Sequence, residues 1–450
     1  MFRPTSSSAR LLGPVLVAVV CLVPVLLWAG AAPLDQRFAT ASATLTGVGV
    51  VCGLVGLSTF STNLFLGGRF WFVEALFGGL DSMYRTHRIL GRVAFLLLLA
   101  HAVLVLGGQV VLSGWGTLRV LLPTNSWTVP LGVLALVVMG VTLVITLYVR
   151  VGHELFIYVH RFFGIAFGLG ALHAFLTPGT KSLSDALTAY LVVLAALGFG
   201  GWVYRSLFGD AMVRRRYYEV TRIERFGDAL EISMVSGEGP LQHLPGQFIF
   251  LTFRSESLSK EFHPFDHVAE GGGEVVSFRA GAVRNQFHPF SITSPPGALA
   301  LSVAIKASGD YTTALRHLRE GDTARVEGPF GSFSHRNVRN ARQVWISGGI
   351  GITPFLSMAR SLDEAGPDIV LFYAVKRAEQ AYFLRELEEL AGRLPNFRVI
   401  PFPEPECGRP SAEAVARLCS DVDRRDIMIC GPPIMIDVLR DQFAARGVPK

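Results

Sequence analysis

Cysteine is scarce in this 450-residue chain and poorly placed for metal chemistry. The five cysteines, Cys21, Cys52, Cys407, Cys419 and Cys430, include no C-x-x-C pair. That pattern argues against a structural zinc or a cysteine-ligated iron–sulfur cluster. A disulfide framework is also not expected in a chain this long. Charge is thin as well: 17% of residues are charged and 50% are hydrophobic. The net charge of +6 is not a nucleic-acid signal, because the arginines gather at the ends of apolar runs. Repeats of solenoid length are lacking. The length suggests about three domains, and nearly all of the apolar excess lies before residue 208.

Six uncharged apolar runs, at about 11–29, 41–66, 93–112, 129–149, 162–177 and 185–204, are each near the ~20 residues that cross a bilayer as a helix. The first is preceded by Arg3 and Arg10 and followed by Ala29-Gly30-Ala31, which also fits a signal-peptide cleavage pattern. Its long apolar core favours an uncleaved helix. Arg69, Arg85, Arg88 and Arg92, then Arg150 and Arg161, then Arg205 and Arg214–Arg216 mark one side of the bundle. The opposite loops carry only Arg37, Arg119 and Lys181. The positive-inside rule therefore places the N-terminus and the soluble half in the cytoplasm, with the third and fifth helices both running outward.

After Arg216 the pattern changes. "GQFIFLTF" and "LALSVAIKAS" alternate as strands of an antiparallel barrel. "QVWISGGIGITPFLSMARSL", "DIVLFYAVK" and "DIMICGPPIMIDVLRDQF" alternate strand and helix, which implies a parallel α/β sheet. The expected domains are 1–208, a six-helix transmembrane bundle; 214–336, an antiparallel β-barrel; and 341–450, an α/β parallel-sheet domain.

Histidine placement in the apolar half is informative. His87 and His101 stand fourteen apart on the third helix, and His160 and His173 thirteen apart on the fifth. At ~1.5 Å per residue each gap covers about 20 Å, so each helix offers one imidazole per leaflet. On parallel helices His87 faces the level of His160, and His101 that of His173. Two stacked levels of paired imidazoles suit two bis-histidine b-type haems, which pass single electrons. Histidines that only hydrogen-bond across helices are the alternative. Thirteen residues do not return to one helical face, so Gly164, Gly168 and Gly170 are expected to permit a bend or loosened turn. His153 lies outside the span. Arg88, Arg92 and Arg161 suit haem propionates or the positive-inside pattern equally. Phe167, between the levels, reads as packing more than as an electron relay.

The soluble half carries "HPFSITSPP", "GDYT", "GPFG", "GGIGITPF" and "CGPP" in that order. Together with the four histidines, this set resembles the NADPH oxidase and ferric reductase family over nearly the whole chain from about residue 45. The resemblance implies bound FAD, a nicotinamide nucleotide and two haems. It places His288, Pro289, Phe290 and Ser291 beside the flavin ring, with Thr293 close behind, and assigns Lys306, Gly309 and Thr312 to the flavin phosphates. Gly348, Gly349, Gly351, Thr353 and Pro354 would cradle the nucleotide phosphate at a helix start. Cys430, Gly431 and Pro432 would lie beside the nicotinamide. His288, Ser291 and Cys430 are thus the positions nearest the chemistry, Cys430 as a positional group and not a nucleophile. Lys376 and Arg377 follow the next strand, where a basic residue accommodates a ribose 2′-phosphate; NADPH is expected over NADH. F-H-P-F also occurs at 262–265, but there "DHVAEGGG" follows, and an inserted hairpin or loop is expected, with a second surface touching the membrane domain as the alternative.

The implied function is a multi-pass oxidoreductase of the cell membrane. It would move electrons from cytoplasmic NADPH through FAD and two haems to an outer acceptor. Dioxygen, giving superoxide, and a ferric chelate are the two candidate acceptors. Val105 stands where some oxidases of the family carry a further histidine, and the outer loops show no iron-binding cluster. Family members usually finish with a strand and a flavin-stacking aromatic, whereas this sequence stops at "ARGVPK". Weakened flavin retention and nucleotide discrimination are the expectation there.

Overall fold

The computed structural model describes residues 7–123, 126–149, 153–177, 184–209, 213–255, 265–270, 273–278 and 287–448. Two compact units form, one made of Met1–Val213 and Phe262–Ala280 and the other of Arg214–Glu261 and Gly281–Lys450. In the first, six helices among the described residues are long and apolar enough to cross a membrane. They are α1 (Ser7–Gly30), α2 (Ala41–Gly67), α3 (Leu80–Ser113), α4 (Thr128–Tyr148), α5 (His153–Leu176) and α6 (Asp185–Ser206). Helix starts follow ordinary capping chemistry: Thr40 accepts from the Ala43 N–H and Ser184 from the Leu187 N–H. Helix α3 begins at Leu80, well before the apolar run at 93. Its arginine-rich first turns are helical without being apolar, so hydropathy alone missed them, and they bring His87 onto the same helix as His101.

Helix α2 is the centre of the bundle. Gly49 and Gly56 face α3 so closely that an added Cβ would stand 2.8 Å from Val105 and 3.0 Å from Leu98. Small residues of this kind let membrane helices approach where no hydrophobic effect drives them together. Phe60, Leu64, Ala94, Met139, Phe167, Leu187 and Leu191 fill the core between the helices. Helix α5 runs unbroken through its three glycines. Gly164 instead makes room for the Trp202 indole, whose N–H donates to the Arg161 carbonyl at 3.1 Å.

The second unit contains two sheets. Strands β1 (Arg216–Phe226), β2 (Ala229–Val235), β3 (Phe248–Arg254), β6 (His288–Ser291), β7 (Leu301–Lys306) and β8 (Thr323–Phe330) lie in the order β6-β3-β8-β1-β2-β7, with every pairing antiparallel. An Ile292–Val303 bridge joins the two ends and closes the barrel. Alternate residues Ile249, Leu251 and Phe253 point into its core, as strand periodicity requires. Two further strands, β4 (Phe265–Glu270) and β5 (Gly273–Phe278), fall in the segment grouped with the first unit and, among the described residues, pair only with each other. The first F-H-P-F copy therefore runs into a separate hairpin, whereas the second opens barrel strand β6. Residues 262–264 of the first copy lie outside the described residues.

Strands β9 (Arg342–Gly348), β10 (Asp368–Val375), β11 (Phe397–Pro403) and β12 (Asp426–Cys430) form a parallel sheet in the order β11-β10-β9-β12. Helices α7 (Thr353–Ala359) and α8 (Leu384–Arg393) cover one face, α9 (Ala412–Leu418) and α10 (Pro433–Ala445) the other. From β9 the chain first winds toward β11, then returns to place β12 on the other side. The strand order reverses between β9 and β12, where open α/β sheets bind ligands at the strands' carboxyl ends.

Candidate functional site

The four membrane histidines meet in two pairs. The rings of His87 and His160 have centroids 6.1 Å apart, and those of His101 and His173 are 6.4 Å apart. Both pairings advance in the same chain direction, so α3 and α5 run parallel. Two imidazoles sharing one iron through Nε2, with bonds of roughly 2 Å, have centroids about 6 Å apart. The residues fit a bis-histidine haem at each level.

Hydrogen bonding orients three of the rings. Nδ1 of His87 lies 3.1 Å from the Asn63 carbonyl, Nδ1 of His101 2.8 Å from the Gly49 carbonyl, and Nδ1 of His173 2.7 Å from the Thr128 carbonyl. A carbonyl only accepts, so Nδ1 carries the proton in each and Nε2 keeps the lone pair a metal needs. Nδ1 of His160 is buried without a partner. The His160 ring lies against Phe156 and Phe163, and Phe163, Phe60 and Phe167 continue an edge-to-face aromatic cluster. Phe167 is buried within that cluster. Arg88, Arg92 and Arg161 are exposed. Val105 packs on Gly49, so no polar group occupies that position.

In the parallel sheet, the glycine turn and the "CGPP" loop come together at the switch point. Adjacent strands β9 and β12 end at Gly348 and Cys430. A Cβ on Gly351 would stand 2.4 Å from the Cys430 carbonyl oxygen, and one on Gly348 2.8 Å from Pro432. A Cβ on Gly431 would stand 3.0 Å from the Gly348 backbone. Gly349 takes φ +54, a left-handed turn that glycine adopts without strain. Thr353 and Pro354 open α7, with the Thr353 hydroxyl donating to the Ile350 carbonyl. Lys376 and Arg377 are exposed just past the carboxyl end of β10. Burial pushes the Cys430 thiol up to about 11, so it stays protonated at neutral pH and is no nucleophile there.

The barrel brings "HPFS" and "GDYT" into one place. His288 and Phe290, on one face of β6, both stack against the Tyr311 ring, His288 at a centroid distance of 4.0 Å. Pro289 is exposed and Ser291 half-buried. Gly309 has open space where a side chain would sit. The Thr312 hydroxyl accepts from the Ser308 and Gly309 N–H groups and holds the turn. Lys306 pairs with Asp228 at 3.4 Å. Thr293 is fully buried, its hydroxyl donating to Glu231.

That Thr293–Glu231 contact belongs to a clamp which sequence reasoning missed. Arg360, just past α7, donates two bonds to Glu386 on α8 (2.7 and 2.8 Å), and others to Glu231 on β2 (2.7 Å) and the Thr293 carbonyl (3.0 Å). One turn earlier, the Ser357 hydroxyl donates to the Ser294 carbonyl at 2.7 Å. The helix that starts at the glycine turn is thereby tied to the segment that follows strand β6. A nearby tie joins Tyr382 to Asp228: burial, then the hydrogen bond to Asp228, raises the Tyr382 phenol to about 12, and the same bond lowers the Asp228 carboxyl. Ion pairs between separate sheets leave no local pattern in the chain, which is why none was foreseen.

Comparison with known proteins agrees with this division. Residues 52–171 match the family model "Ferric reductase like transmembrane component", and residues 345–441 match "Oxidoreductase NAD-binding domain". Among curated relatives, the reductase component of propane 2-monooxygenase from Rhodococcus jostii is 26% identical over 35% of this chain and 46% of its own. The ferredoxin reductase component of 3-ketosteroid-9-alpha-monooxygenase from Mycobacterium tuberculosis is 33% identical over 35% of this chain and 45% of its own. The chain thus spans about half the length of the curated relatives it matches. A solved ferredoxin NADP+ reductase from Neisseria gonorrhoeae, with bound FAD and NADP, is 17% identical with a TM-score of 0.39, covering 52% of this chain and 92% of that one.

The fold and the matches define a multi-pass membrane oxidoreductase. A ferric reductase-like transmembrane component and an oxidoreductase NAD-binding domain are the parts the matches support.

Proposed function

We propose that this protein carries electrons from cytoplasmic NADPH, by way of FAD and two b-type haems, to an acceptor on the outer face of the cell membrane. The observation that carries the reading is the pair of imidazole separations, 6.1 and 6.4 Å, at two levels of one bundle. When bound, FAD accepts a hydride and haem passes single electrons, so the two together convert a two-electron donor into one-electron steps. His87 with His160 hold the inner haem, and His101 with His173 the outer. For His87, His101 and His173, carbonyls of α2 and α4 keep Nδ1 protonated and leave Nε2 for iron. Gly348, Gly349 and Gly351 let the nucleotide phosphate approach the backbone at α7, and Arg377 with Lys376 meets the 2′-phosphate. Cys430, Gly431 and Pro432 border the nicotinamide. His288, Pro289, Phe290 and Ser291 border the flavin, with Gly309 at its phosphates. Clustered arginines on one side of the bundle support a cytoplasmic soluble half.

Dioxygen is the acceptor in this reading, with superoxide as product. Val105 favours the second reading, a ferric-chelate reductase, because that position offers no polar group to an oxygen species. NADPH-driven turnover of purified protein separates them. Cytochrome c reduction abolished by superoxide dismutase supports the oxidase. Dismutase-insensitive turnover with ferric citrate supports the reductase. Absence of NADPH-driven reduction of any acceptor, by FAD- and haem-loaded protein, contradicts both.

A further inference from the structure

The three oriented histidines share a geometric device. His101 bonds the carbonyl of Gly49, and the residue four further along α2 is Gly53, where an added Cβ would stand 2.6 Å from His101 Nδ1. His173 bonds the carbonyl of Thr128, and four further along α4 is Gly132, where a Cβ would stand 2.9 Å from the His173 ring. His87 bonds the carbonyl of Asn63, and four further along α2 is Gly67, with the looser spacing of 3.8 Å. Side chains on a helix lean toward its N-terminus, so residue i+4 covers the carbonyl of residue i. A glycine there uncovers the oxygen. It can then accept from an imidazole as well as from its own helix.

We propose that Gly53 and Gly132 are positioning residues of the outer haem: each uncovers the helix carbonyl that fixes the Nδ1–H tautomer and ring orientation of His101 or His173. This rests on the haem reading above. It also makes the two haem sites unequal. Both outer ligands are pinned through tightly fitted glycines. At the inner level only His87 is pinned, its glycine is loosely fitted, and His160 has no Nδ1 partner. A methyl group at Gly53 or Gly132 must displace a ring already tied to a carbonyl, whereas one at Gly67 meets only ordinary contact.

The test compares Gly53→Ala, Gly132→Ala and Gly67→Ala in the full chain, purified in detergent. The readouts are haem per protein and the low-spin ferric EPR signals. Gly140→Ala serves as control, since its Cβ would meet Phe95 at an ordinary 3.6 Å. Gly53→Ala and Gly132→Ala should each drop from near two haems toward one, or convert one low-spin signal to high spin, while eluting as folded protein. Gly67→Ala and Gly140→Ala should keep two haems and wild-type spectra. Wild-type spectra and two haems in both Gly53→Ala and Gly132→Ala would overturn the proposal while leaving the haem reading standing. Equal losses in all four variants, or failure of only the two tight variants to fold, would show a role in bundle packing and overturn it as well. Wild-type protein with fewer than two haems after full loading would instead remove the reading on which it rests.

Discussion

The membrane unit and the soluble unit place their reactive groups by opposite means. In the bundle, backbone does the positioning: carbonyls of Gly49, Asn63 and Thr128 hold the histidines. In the soluble unit, charge does it: Arg360 forks between Glu231 and Glu386 and reaches the Thr293 carbonyl. The difference follows from the solvent. In a bilayer an ionic clamp is costly to insert, and helix carbonyls are the polar groups already present. In the soluble half a buried fork can be supplied with every hydrogen bond it needs, and its planar geometry fixes two carboxylates at once. A perturbation aimed at one means should therefore leave the other site intact.

Breaking the ionic clamp should have the largest effect on stability. Arg360→Met leaves Glu231, whose side chain is 10% exposed, without its cation. Removing one partner of such a pair costs about 3–5 kcal/mol. Chemical denaturation followed by flavin release should show a loss of that size in the soluble half, with haem content unchanged. Haem loss in step with flavin loss would mean that the two units do not hold their groups independently.

A smaller effect is expected at the nucleotide's ribose. Arg377→Ala should weaken NADPH by on the order of 1.5–3 kcal/mol, the worth of a hydrogen bond to a charged group, and leave NADH nearly unchanged. Steady-state KM values for both nucleotides give the answer. Equal changes in the two would place Arg377 away from the 2′-phosphate.

A further effect is one of pH. Burial, aided by the Arg336 charge, depresses His335 from 6.5 to about 4. Between those values the unfolded chain binds a proton that the folded unit does not. Stability therefore rises with pH across that window and falls as the solution is acidified through it. His335→Gln should flatten the dependence between pH 4 and 6.5 in thermal melts of the soluble half. An unchanged slope would assign the window to other groups.

The same contrast explains what the chain made legible. Histidine spacing on two apolar helices was enough to pair His87 with His160 and His101 with His173, because a membrane helix allows few depths. The thirteen-residue spacing suggested a bend or loosened turn permitted by Gly164, Gly168 and Gly170, but the helix is unbroken and Gly164 accommodates Trp202. Glycine's role as spacer and its role as breaker look identical in one dimension. Backbone carbonyls carry no sequence signal, so the partners of the histidines were invisible. Motif order and alternation revealed the barrel and the parallel sheet. The Arg360 clamp was not legible, since Glu231, Arg360 and Glu386 come from three separate elements. Thr293 and Lys306 looked like flavin contacts by motif. The fold engages both in ties to Glu231 and Asp228.

The central claim is that each histidine pair holds one haem. A pyridine haemochrome assay on fully loaded protein tests it most directly, comparing the wild-type chain with His101→Leu. The account predicts a haem-to-protein ratio near two for the wild type and near one for the variant. A ratio near one in the wild type, or an unchanged ratio of two in His101→Leu, would contradict it.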